Sequence, residues 1–167
     1  MNKFYKISLE QYTKDAPPMT IGDFSIEDEW NDIKLPKRAT AYSAGHDFYA
    51  PMGFKLMPNE TVKIPTGIKV QLDSDKVLLV VPRSSLGFKY RLQLDNTIGV
   101  IDSDYYNNKN NEGHIFIKLT NDSRNKKVLE IKKGEAIAQG IISQYFLTDD
   151  DDSESLREGG IGSTNGK

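Results

Sequence analysis

Apolar side chains recurring with a period of two, broken by turn-forming residues every eight to twelve positions, restrict this chain to short strands. Val62, Ile64, Ile68, Val70 and Leu72 keep that period, interrupted only at Pro65-Thr66-Gly67. Ile115, Ile117 and Leu119 repeat it, followed by Leu129 and Ile131 and then by Ile137, Ile141 and Ile142. Successive side chains of a strand face opposite sides, so a half-buried strand reads this way. Turn residues recur at Pro58-Asn59, Asp73-Ser74-Asp75, Gly87, Gly99, Asn121-Asp122 and Gly134. No window of twelve residues keeps a 3.6-residue period. Many short strands at even spacing predict an all-β sandwich, jelly roll or distorted barrel.

Composition narrows what such a fold can do. The 167 residues suffice for one ordinary domain. With no cysteine, there is no disulfide frame, no thiolate nucleophile and no thiolate zinc site. Two histidines exclude a histidine-rich metal centre, and no G-x-S-x-G elbow occurs. Lys plus Arg number 22 against 24 Asp plus Glu, so the balance offers no basic surface for duplex phosphates, and direct nucleic-acid binding is not expected. The longest aliphatic run, Val77 to Val81, is too short to span a bilayer. Met1 to Glu10 lacks the apolar core of a signal peptide, so a cytoplasmic protein is expected.

The chain divides by composition into four parts. Residues 1–33 read as an N-terminal extension, with a helix-breaking Lys14-Asp15-Ala16-Pro17-Pro18 and a turn or two of helix at Ile26–Ile33 that packs through Trp30. Residues 34–147 carry the β pattern, and 148–156 form an acidic linker that cannot bury apolar area. Residues 157–167 are glycine-rich, with Arg157, Ser163 and Thr164 available to an anion; an anion-binding flap and a plain tail are equally open.

Two internal segments carry candidate chemistry. Pro82-Arg83-Ser84-Ser85-Leu86-Gly87 follows the strand Val77–Val81; its guanidinium and hydroxyls suit phosphate oxygens, or it is an ordinary polar turn. Ile98-Gly99-Val100-Ile101-Asp102-Ser103-Asp104-Tyr105 ends an apolar run with two carboxylates one residue apart. In extended geometry Asp102 and Asp104 project to one face, where they can hold a cation or activate water; the alternative is a strand-ending turn. Asn107 to Glu112 (NNKNNE) reads as a polar loop tip.

Taken in order, these segments resemble the five motifs of the homotrimeric dUTP pyrophosphatase (dUTPase) family. Leu35–Thr40 with Ala44–Ala50 is similar to the first motif, Pro82–Leu86 to the second, and Gly99–Tyr105 to the third. Gly134–Gln139 is similar to the fourth, and Arg157–Thr164 to the fifth. The resemblance implies a β-clip or jelly-roll-like subunit of a threefold trimer whose sites are shared between subunits. It implies hydrolysis of dUTP to dUMP and pyrophosphate, with Mg²⁺ held through substrate phosphates and water rather than by protein ligands. Such a reaction limits uracil incorporation into DNA and supplies dUMP.

By the same resemblance Asp102 falls where the family keeps the carboxylate that activates water, with Asp47 and Asp104 in support. Asn96, Val100 and Ile101 fall where uracil is read, and Tyr105 where a ring packs on deoxyribose and leaves no room for a 2′-hydroxyl. Arg83, Ser84, Ser85 and Gln139 match phosphate-contacting positions. Arg157, Ile161, Gly162, Ser163 and Thr164 match the flap that closes over the phosphates. The chain departs from the pattern in Ile161, where phenylalanine is usual, in Ala136, where a basic residue is common, and in His46, where tyrosine is frequent. About six residues are inserted after Tyr105. The related dCTP deaminase branch and a non-catalytic, nucleotide-sensing trimer are the rival readings.

Overall fold

A computed structural model of the chain describes residues 1–16 and 25–153. Its elements in order are β1 (Lys3–Lys6), α1 (Leu9–Asp15), α2 (Ile26–Asp32), β2 (Lys37–Arg38), β3 (Gly45–Tyr49), β4 (Phe54–Leu56), β5 (Thr61–Pro65) and β6 (Ile68–Gln71). There follow β7 (Lys76–Pro82), α3 (Ser84–Tyr90), β8 (Leu92–Leu94), β9 (Gly99–Asp102), a 3₁₀ turn (Ser103–Tyr105), β10 (Phe116–Asn121), β11 (Leu129–Ile131) and β12 (Ala136–Gln144).

The strands form four sheets around one core. A five-stranded sheet runs β2-β3-β12-β7-β9, a three-stranded one β5-β10-β8, and two pairs join β11 with β4 and β1 with β6. All pairings are antiparallel. The alternation legible in the sequence is the burial alternation of the strands: Ile68 and Val70 point inward on β6, Ile117 and Leu119 on β10, Leu129 and Ile131 on β11. This is the all-β, jelly-roll-like architecture that the turn spacing predicts.

Of the first 33 residues, set apart by composition, the described ones, 1–16 and 25–33, pack onto this core. β1 pairs with β6 from Lys3 opposite Gln71 to Lys6 opposite Ile68. Phe4, Ile7, Tyr12 and Ile33 are buried with the strand residues. Trp30 packs against the core at its edge and donates from Nε1 to the Ile7 carbonyl at 3.0 Å. Ser8 caps α1 by accepting from the Gln11 N–H, and Ser25 caps α2 by accepting from that of Asp28, each at 3.1 Å. At Ala16, the residue before a proline, the backbone turns extended and α1 stops.

The Pro82–Gly87 segment is not a turn. The chain enters α3 directly after Arg83, which stands at its N-cap. Leu86 and Tyr90, one helical turn apart, pack against the core and hold the helix down. The 107–112 loop likewise folds on itself rather than projecting. Asn108 is buried, donating to the Tyr105 carbonyl at 2.9 Å and to Asn111 Oδ1 at 2.8 Å, and its own Oδ1 accepts from the N–H groups of Asn110 and Asn111.

Candidate active site

β8 and β9 are joined by only Asp95–Ile98, yet they pair in different sheets, so the chain splays apart at this turn. A cavity of about 240 Å³ opens there, lined by Val80, Leu94, Asn96, residues 99–102, Tyr105 and residues 114–116. The turn is fixed from below. Asp95 takes Lys118 Nζ at 2.7 Å and the Thr120 hydroxyl at 2.5 Å, and these bonds hold its carboxyl below the usual carboxylate range. The expected residues Asn96, Val100, Ile101, Asp102 and Tyr105 therefore meet around one cavity.

Asp102 and Asp104 do not share a strand face. β9 ends at Asp102, whose extended backbone caps the 3₁₀ turn that follows, and Asp104 lies exposed within that turn. Of the two residues only Asp102 is among those lining the cavity.

Tyr105 is buried and anchored at its far end. Its hydroxyl donates to the His114 carbonyl at 3.1 Å and accepts from Asn111 Nδ2 at 2.8 Å. The loop closes tightly beneath it: Gly113 has φ +81, and a Cβ there would lie 2.6 Å from the Tyr105 carbonyl oxygen. Glycine meets both demands.

His114, absent from the sequence-based set, is fully buried in the cavity wall. Its Nε2 accepts the Gly67 N–H at 2.8 Å, so Nδ1 carries the proton and donates to Asp15 Oδ2 at 2.7 Å. Burial pushes its pKa below the ordinary imidazole value, although the Asp15 carboxylate pulls the other way. The ring also packs at a tilt against Phe116, with centroids 4.3 Å apart, and Lys63 Nζ lies 4.0 Å from the Phe116 centroid. A single histidine among polar residues gives no periodic signal, and its acceptor lies 99 residues away.

A second cluster forms on the five-stranded sheet. Asp47 on β3 is the register partner of both Gln139 on β12 and Lys37 on β2, which puts the three side chains on one face. Arg83 reaches this face from the end of β7, its Nε 3.4 Å from Asp47 Oδ1. Ser84 and Ser85 follow in the first turn of α3. Lys37 was not singled out by sequence, where it is one lysine among many. Arg157, Ile161, Gly162, Ser163 and Thr164 lie outside the described residues.

The two clusters sit at opposite ends of β7. Asp102 pairs with Val77 at its start, whereas Arg83 lies beyond Pro82 at its finish. Six residues of extended chain separate them by about 20 Å along the strand. Among the described residues, no three His, Asp or Glu side chains converge on a metal position. Nor is any helix among them long and apolar enough to cross a membrane.

Comparison with known proteins bears on this geometry. The family model described as dUTPase matches residues 31–165. The deoxyuridine 5′-triphosphate nucleotidohydrolase of Lactococcus lactis subsp. lactis is 39% identical over 150 residues, covering 87% of this chain and 99% of that protein. The enzyme of the same name from Hahella chejuensis is 38% identical over 145 residues, covering 82% and 90%. The crystal structure of the dUTPase from Streptococcus mutans is 40% identical and superimposes with a TM-score of 0.62 over 69% of this chain and 88% of that one. A variant of the Staphylococcus bacteriophage 80alpha dUTPase with dUpNHpp is 25% identical, with a TM-score of 0.58 over 78% and 91%. With the family model matching most of its length and relatives 38–39% identical over more than four-fifths of it, the chain belongs to the dUTPase family.

Proposed function

We propose that the protein hydrolyses dUTP to dUMP and pyrophosphate at sites completed between subunits of a homotrimer. The observation that carries this reading is the cavity that joins Asn96, Val100, Asp102 and Tyr105 in a member of the dUTPase family. Asn96 and the backbone around Val100 and Ile101 offer donors and acceptors to the uracil edge. Cytosine presents these reversed, which such a site discriminates strongly. The Tyr105 ring forms the wall against the deoxyribose.

Asp102 takes a proton from water as its oxygen attacks the α-phosphorus. The bond from that phosphorus to the bridging oxygen breaks, and the electron pair leaves with pyrophosphate. Base catalysis of this kind contributes about 10²- to 10⁴-fold. Arg83, Ser84, Ser85 and Gln139 hold phosphate oxygens, with Asp47 orienting Arg83. Asp104, exposed within the 3₁₀ turn, supports Asp102, and Arg157, Ile161, Gly162, Ser163 and Thr164 close over the nucleotide. With Asp102 the one acidic residue in the cavity lining, beside Asn96, Tyr105 and His114, the residues present would suit a Mg²⁺ held chiefly by substrate phosphates and water. When bound, Mg²⁺ neutralises charge on the triphosphate.

The separation of Asp102 from Arg83 supports a shared site. A triphosphate contacting both cannot span about 20 Å of strand, so a second copy must bring one cluster to the other. Pyrophosphate release from dUTP, dCTP, dTTP and UTP with Mg²⁺ tests the reading. Release from dUTP alone, lost in Asp102→Asn, is expected; dUTP binding without turnover would leave a nucleotide-sensing trimer instead.

A further inference from the structure

The wall behind Tyr105 is held by a chain of contacts that begins in the first helix. Asp15 on α1 accepts from the His114 ring at 2.7 Å, and the His114 carbonyl accepts from the Tyr105 hydroxyl at 3.1 Å. Asn111 donates to the same hydroxyl at 2.8 Å. The loop that supplies Asn111 and His114 is clamped to α1 a second time. Glu112 takes the Ser8 hydroxyl at 2.5 Å and the Ser8 N–H at 3.1 Å, and Lys69 Nζ bridges Glu112 and Asn107 at 3.0 and 2.7 Å. None of Ser8, Asp15 or Lys69 lines the cavity.

A wall excludes a hydroxyl only if it cannot retreat. Room for a 2′-hydroxyl needs a shift of an ångström or so, and a ring tethered at its far end resists that shift where an untethered one yields. The geometry assigns Asp15 as a positioning residue for sugar discrimination: by fixing His114 it holds Tyr105 against the 2′ position of the nucleotide. This inference rests on the proposed seat of deoxyribose beside Tyr105. Removing Asp15 leaves the buried Nδ1–H of His114 without its acceptor, since Nε2 is committed to Gly67, and the ring must move to recover one. Asparagine at 15 retains an acceptor oxygen and keeps the contact.

The test compares the dissociation constants of dUMP and UMP by calorimetry, alongside dUTP turnover, in the full chain, Asp15→Ala, Asp15→Asn and Asn111→Ala. A ratio of two ligands is blind to the fraction of protein that is folded, so a merely structural loss does not move it. The preference for dUMP over UMP is expected to fall at least about fivefold in Asp15→Ala and to stay within about twofold of the parent in Asp15→Asn. Asn111→Ala removes the other tether and carries the same expectation if Asp15→Ala does not fold. An unchanged ratio in the folded variants overturns the assignment, as does a parent protein with no preference for dUMP. A parent that prefers dUMP but does not cleave dUTP overturns the hydrolase reading and leaves the assignment intact.

Discussion

The Arg83 guanidinium lies 3.4 Å from the Asp47 carboxylate, joining the end of one strand to the middle of another two places away in the same sheet. Asp47 is largely shielded while Arg83 is about a third exposed, so the pair orients more than it stabilises. In Asp47→Ala, steady-state kinetics should show KM for dUTP raised about two- to fivefold with kcat within about twofold. Thermal stability should fall by less than about 1 kcal/mol. A large loss of kcat with unchanged KM would contradict the role given to Asp47.

Mixing two dead proteins should revive activity. If Asp102 comes from one subunit and Arg83 from its neighbour, an equimolar mixture of Asp102→Asn and Arg83→Ala, unfolded and refolded together, assembles intact sites at random. Each site needs the right residue from each of two subunits, so about one quarter of the parent activity is expected. No recovery would place both residues in one chain's site.

Acid should loosen the protein through His114 before it reaches the carboxylates. The folded pKa of this ring lies below the unfolded value of 6.5, so its contribution is fully present above pH 6.5. As pH falls below that value the unfolded chain takes up a proton that the folded chain resists, and stability declines until the folded ring also protonates. Asp15 and Glu112 face the ring and ease its protonation, while Lys63 opposes it. From pH 8 to 5 the unfolding free energy, measured by urea titration, should fall by at most about 1.4 kcal/mol per pH unit from this group, and the slope should flatten in His114→Gln.

The N-terminal segment should prove indispensable. Tyr12 is fully buried, its ring against that of His114 with centroids 6.2 Å apart, and it donates its hydroxyl to Glu29. Burial and the Glu29 carboxylate push its own pKa well up. Tyr12→Ala should cost about 3–5 kcal/mol in urea unfolding, and deletion of residues 1–16 should leave no cooperative transition. A stable, active truncation would return this segment to the status of an appendage.

Gly113→Ala isolates the loop under Tyr105. A methyl there meets the Tyr105 carbonyl at 2.6 Å with φ at +81, so a loss of about 2 kcal/mol, near 4–8 °C of melting temperature, is expected. Calorimetry or thermal scanning against Gly87→Ala supplies the contrast, because a Cβ at Gly87 meets nothing within 4 Å.

Strands were legible in the sequence where alternation ran for five residues or more, as on β5 with β6 and on β10. β1 was not: within Lys3–Lys6 only Phe4 is buried, and one apolar residue makes no pattern. Of the helices, α2 was legible as a turn or two at Ile26–Ile33, whereas α1 and α3 escaped for a related reason. Each has seven residues, too few turns to display a 3.6-residue period, and α3 hides behind a serine pair that also reads as a turn. Asn96, Val100, Ile101, Asp102 and Tyr105 stood close in the sequence and stand together around the cavity. His114 and Asp15 did not, because their meeting depends on β1 and α1 folding back over a loop from the far half of the chain. Composition sets residues 1–33 apart, and Phe4, Ile7, Tyr12 and Ile33 from that stretch share the core of the strands.

The order of the large sheet has a consequence for synthesis. β12, the last strand among the described residues, lies in its middle, with β3 on one side and β7 on the other. Until the ribosome has passed Gln144, these two edges have no strand between them, and each presents an open row of backbone donors and acceptors. Translation from Pro82 to Gln144 takes about 3–12 s at typical speeds, long enough for nascent chains on one polysome to find each other's edges. Release before Ala136 therefore yields a fragment prone to aggregation rather than a smaller enzyme, and folding of this domain is completed only after nearly the whole of it has been made.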